Sequence, residues 1–137
     1  MRLLLIAALL YAMPFTTSGQ QVKQHVPVVT LGRIRLPETK DGKLVPVNTT
    51  RQEMLKNTLF IADVNNCRVI RYKFSIIAPG QPYYGPVYVS SGELTDSLKN
   101  KIKSQNGPNV KVFIEDMIVN YRGNEMEVNS LAYKYDE

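Results

Sequence analysis

One cysteine and one histidine in 137 residues leave little to build a reactive or metal site from. A single cysteine cannot close an intramolecular disulfide, so a domain of this length must rely on its core for stability. Structural zinc wants Cys and His ligands in clusters, and only His25 and Cys67 are on offer. The sequence therefore predicts no metal and no cofactor. It also lacks a Gly-rich phosphate loop and any set of nucleophile, base and orienting residue, so no catalytic residue is assigned and the chain reads as a non-enzyme.

Two weaker chemical signals are excluded on geometry. Cys67 stands near Arg68 and Arg71, which could lower a thiol pKa, but no histidine lies close in sequence to act as base. It reads as a small apolar residue at a strand start. Glu115 and Asp116 are adjacent carboxylates, but neighbours on a strand point to opposite faces. They could work as a pair only across a bulge.

Charge of one sign is in mild excess, with 17 basic against 12 acidic side chains. The basic residues form no stripe, which argues against nucleic acid and leaves solubility or an acidic protein surface as the meaning of the excess. The longest apolar run, Leu3 to Met13, is well short of the ~20 residues that span a bilayer. Met1-Arg2 precedes it, and Pro14 and Thr16-Thr17-Ser18-Gly19 follow, the pattern of a secretory signal. We therefore expect a signal over 1–19, a flexible N-terminus over 20–25, a periplasmic or secreted location, and no stable membrane anchor after cleavage.

What is present is mostly strand-like. Cys67 to Ala78 alternates, which puts Ile70, Tyr72, Phe74 and Ile76 on one face and Arg71, Lys73 and Ser75 on the other. Val110, Val112 and Ile114 repeat the pattern, and Arg122-Gly123-Asn124 reads as the turn of a closing hairpin. Asp41-Gly42 marks an earlier turn, and Thr50-Arg-Gln-Glu53 fits a capping box over a very short helix. The principal helix follows Thr95, with Leu98 and Ile102 as its apolar stripe and Lys99, Lys101 and Lys103 around it. Lysines that ring the stripe predict a lid on a sheet, not a basic binding helix. The fold class is thus all-β and antiparallel over residues 26–137, with one short helix packed on the sheet. Tyr83, Tyr84 and Tyr88 form the densest aromatic cluster outside the alternating strands, and they are the candidate interaction surface. A small secreted ligand- or carbohydrate-binding domain using the same tyrosines is the alternative.

In sequence order, Arg71-Tyr-Lys-Phe-Ser-Ile-Ile77 leads to Ser90-Ser-Gly-Glu-Leu-Thr95 opening the helix. Val110-Lys-Val-Phe-Ile-Glu-Asp-Met-Ile118, a glycine turn and a last strand come next. This order resembles the C-terminal periplasmic domain of the gliding motility protein GldM and its relative PorM, of the type IX secretion machinery. The likeness spans about residues 26–136 and is better after Leu59. It implies that the domain is an antiparallel Ig-like β-sandwich, a scaffold module that works through an envelope or secretion-system protein partner, and it leaves a homo-oligomer open. Family members also carry a transmembrane helix and several stacked domains, so coupling to a membrane motor is not carried over.

Overall fold

Alternation of apolar and polar residues builds the centre of this protein, described for residues 25–136 in a computed structural model. The expected signal and the polar residues 20–24 lie outside the described residues. Ten strands and two helices follow in order: β1 (Val29–Leu31), β2 (Glu38–Lys40), β3 (Lys43–Val45), β4 (Val47–Asn48), α1 (Arg51–Lys56), β5 (Phe60–Ala62), β6 (Cys67–Ile77), β7 (Tyr84–Val89), α2 (Asp96–Ser104), β8 (Val110–Tyr121), β9 (Asn124–Glu127) and β10 (Leu131–Tyr135). The architecture is mostly β, as the sequence predicts, and α2 lies on it as a short packed helix.

The main sheet has the order β4-β10-β8-β6-β7. The long β8 pairs with β6 along one side. Its other side is shared, with β10 along its first half and β9 along its second. Every ladder is antiparallel except one: β4 joins β10 in parallel, Val47 opposite Tyr133. One face of this sheet carries the core, with Tyr72, Phe74, Ile76, Val112, Ile114, Met117, Val119 and Tyr133 buried. Against it lies a composite second layer: the β1–β5 ladder, Met54 of α1, and Leu94, Leu98 and Ile102 around α2. Phe60 of β5 meets Tyr72 edge-on at 4.9 Å, which joins the two layers.

Hydrogen bonds fix these layers where packing alone would let them slide. Tyr72 donates its hydroxyl to the Glu93 carbonyl at 2.6 Å, just before α2. Tyr135 donates to the carbonyls of Gln105 and Ile102 at the other end of α2, at 3.0 and 3.2 Å. The helix is therefore tied at both ends, and its last carbonyls gain partners they would otherwise lack. At its start the Thr95 side chain accepts from Leu98 N, and Lys99 pairs with Asp96 at 3.1 Å. α1 is capped likewise, with Glu53 N donating to Thr50. The free side of β1 is clasped by the Asn129 side chain, which accepts from Val29 N and donates to Val29 O, each at 2.9 Å. An amide side chain there imitates a neighbouring strand.

The alternation on β6 departs from the expectation at one point. Val69 is buried, not Ile70, and the phase shifts before Tyr72. The cause is a pair of compensating irregularities. β6 carries an extra residue between Val69 and Arg71, and β8 carries one between Glu115 and Ile118. Asp116 takes φ 48 at the second, a left-handed conformation that aspartate tolerates better than most side chains. Glu115-Asp116 thus does sit on a bulge, the one arrangement that lets adjacent strand residues share a face.

Candidate functional site

The three candidate tyrosines do not form one surface. Tyr83 lies in the loop before β7 and is 55% exposed. Tyr84 turns toward the core, edge-on to Phe74 with ring centroids 6.4 Å apart, and Lys101 of α2 lies 4.6 Å over its ring. Tyr88 stands on the opposite face of the sheet and is 80% exposed. Gly85 produces the split. It takes φ 98, and a side chain on it would come within 2.6 Å of the Phe74 carbonyl, so only glycine lets β7 pass so close to β6 here. The register slips at this point, and Val87 and Val89 then join Tyr84 on the core side.

Around Tyr88 the outer face is charged and paired. Lys73 lies opposite both Tyr88 and Glu115 in the ladders, and it holds Asp116 at 3.1 Å. The Asp116 hydrogen bond, aided by the charges of Asp116 and Glu115, raises the Lys73 pKa above its ordinary value, so the ammonium is held charged. Arg71 reaches Glu125 of β9 at 2.9 Å. Arg71, Asp116 and Tyr88 border a cavity of about 250 Å³, together with Tyr72, Val89, Ser90 and Ile118.

A second candidate surface was missed by the sequence reading. On the β1–β5 ladder, Val29 and Leu31 face the core while Thr30, opposite Ile61, faces out. Leu59 and Ile61 are 57% and 50% exposed, and Leu36 is exposed beside them. A mainly apolar cavity of about 340 Å³ runs along Val28, Thr30, Leu36 and Ile61, and another of about 200 Å³ continues over Ile61 and Leu59 toward Arg33 and Lys56. A three-residue strand gives only one or two positions per face, too few for periodicity to reveal that the outer face is aliphatic.

A scan against models of known protein families finds no match, and no curated protein matches the chain. What the site can do must come from its own residues.

The reactive-looking residues are quiet. Burial pushes the Cys67 thiol up, and the negative charge of Asp63 adds to this, so the thiolate nucleophile is disfavoured. His25, expected in a flexible terminus, instead meets Asp63 Oδ2 at 3.0 Å, while Val28 N donates to Asp63 Oδ1 at 2.8 Å. The Val28 amide and then His25 hold the Asp63 carboxyl below its ordinary value. Asp63 therefore fastens the chain at the start of β1. Among the described residues no group of three His, Cys, Asp or Glu side chains could hold a metal ion, and no helix is long and apolar enough to cross a membrane.

Proposed function

We propose that this chain is an exported, non-enzymatic protein-protein interaction module of the GldM C-terminal type, accessory to gliding motility or type IX secretion in the cell envelope. The GldM-type assignment is supported by the order of sequence motifs from Arg71 to the closing hairpin. The interaction role is carried by one observation: Leu36, Leu59 and Ile61 stand exposed on the outer face of the β1–β5 ladder, beside two shallow cavities that meet at Ile61, one mainly apolar and one edged by Arg33 and Lys56. Contiguous aliphatic surface of this kind is costly to leave in water and marks a contact site for another apolar surface. Arg33 and Lys56 at one end, near Leu59, suit a partner that carries acidic residues beside its apolar contact.

Photo-crosslinking in the native cell tests this reading. A photoreactive residue at Ile61 should give one discrete adduct with an envelope protein, while the same residue at Glu127 should give none. Ile61→Glu should weaken that partner at least roughly tenfold without shifting the thermal midpoint, because Ile61 faces solvent. Absence of an adduct at Ile61, or full binding by Ile61→Glu, would overturn the role given to this groove.

A further inference from the structure

The cavity beside Tyr88 has a different chemistry from the aliphatic groove, and it lies on the other side of the molecule. Its wall is the ring of Tyr88, among the most exposed large side chains of the protein at 80%. Its rim holds the Arg71 guanidinium, the Asp116 carboxylate and Ser90, and Ile118 contributes apolar surface. The two bulges put these groups together. The one on β8 places Asp116 on the outer face, and the one on β6 shifts Arg71 against Ile118. Bulges that re-aim side chains are characteristic of binding sites.

From this geometry we infer that the Tyr88 cavity is a binding site for a neutral sugar ring. Charge decides the class. Arg71 is already balanced by Glu125, and Asp116 by Lys73, at 2.9 and 3.1 Å. An anionic ligand would meet Asp116 and Glu115, and a cationic one would meet Arg71 and Lys73. A neutral polyhydroxylated ligand meets neither penalty. Its hydroxyls can donate to Asp116 and accept from Arg71, in the charge-assisted hydrogen bonds that planar guanidinium and carboxylate groups make well. The C–H face of a pyranose lies naturally on an exposed aromatic ring, which offers apolar area at low entropic cost. At about 250 Å³ the cavity suits one ring of a chain, with neighbouring sugars in solvent. This site is independent of the Ile61 groove, so each can fail without the other.

Backbone amide NMR on the exported protein tests the assignment, with methyl glucoside, methyl galactoside, methyl mannoside and N-acetylglucosamine as probes. At least one should shift the Arg71, Tyr88, Ser90 and Asp116 resonances, with weak, millimolar affinity. Tyr88→Ala should weaken that affinity roughly tenfold, and Tyr88→Phe should keep most of it, since the ring face makes the contact. Asp116→Gly removes the carboxylate but suits the left-handed backbone, so it should abolish binding in a folded protein. The assignment fails if none of the four sugars shifts these residues at tens of millimolar. It also fails if Tyr88→Ala binds as well as wild type, or if inorganic phosphate shifts the same residues more strongly than any sugar.

Discussion

The two faces of the six-stranded sheet use the same strands for opposite purposes. On the inner face Tyr72, Phe74, Ile114, Met117 and Tyr133 are buried in one core. On the outer face Arg71 pairs with Glu125 and Lys73 with Asp116, and Arg71, Asp116 and Tyr88 border a cavity. A residue's meaning here depends on its parity along the strand more than on its type. Tyrosine shows this best: Tyr72 anchors a helix, Tyr84 packs at the core edge, and Tyr88 faces solvent on the other side.

Alkaline pH should produce the largest difference between the faces. Burial raises the pKa values of Tyr72 and Tyr133 far above 10, and that of Tyr135 to about 12. Tyr133 is the extreme case, fully buried with no hydrogen-bond partner for its hydroxyl among the described residues, although the Leu31 backbone lies near and partly offsets the rise. Folding favours the neutral phenols, so their contribution is fully present below pH 10. Above it the unfolded chain releases protons that the folded chain keeps, and stability falls as pH rises toward 12. With all three groups engaged the slope approaches roughly 4 kcal/mol per pH unit. Urea unfolding at steps from pH 9 to 11.5 should show a flat region and then a steep loss. Replacing Tyr133 by Phe should make that loss shallower, and an unchanged slope would mean that Tyr133 is not held neutral by the fold.

Parity gives the next effect. Phe74 and Lys73 are neighbours on β6, one fully buried and one facing out. Phe74→Ala should cost about 3–5 kcal/mol, through lost burial and the cavity left against Tyr84 and the core. Lys73→Ala should leave the denaturant midpoint nearly unmoved, since its partner Asp116 stays solvated. Comparable losses from the two would contradict the assignment of faces.

Much of this division was legible in the sequence, and the gaps have physical causes. The alternation at Tyr72, Phe74 and Ile76 and at Val110, Val112 and Ile114 placed the inner face correctly, and Leu98 and Ile102 gave the lid helix. Extrapolating backward to Ile70 failed because a bulge reverses parity, and nothing between Val69 and Arg71 marks one. The bulge at Asp116 was equally silent, since neither glycine nor proline stands there. The second layer was only partly legible, because β1 and β5 have three residues each and the start of β1 depends on Asp63 and Asn129, partners distant from it in sequence. The tyrosine cluster was found as a composition, but Gly85 decides which tyrosine faces where. That required knowing how close β7 runs to the Phe74 carbonyl.

The smallest expected effect is the sharpest test of that split. Tyr84 and Tyr88 lie on one six-residue strand and would be equivalent if the cluster were a single surface. Tyr84 is half-buried, set edge-on to Phe74 and covered by Lys101, so Tyr84→Ala removes an aromatic contact and a cation-π partner together. It should cost about 1–2 kcal/mol of stability. Tyr88→Ala removes a ring that has little to pack against in the folded state, and its unfolding midpoint should match wild type. The double variant should therefore lose what Tyr84→Ala alone loses, because the side chains are on opposite faces and share no partner. Lys101→Ala should cost part of that loss when Tyr84 is intact and nothing further in Tyr84→Ala, since without the ring the ammonium has nothing to sit on. If Tyr88→Ala proves as destabilising as Tyr84→Ala, the outer ring is packed after all, and the open cavity beside it does not exist in solution.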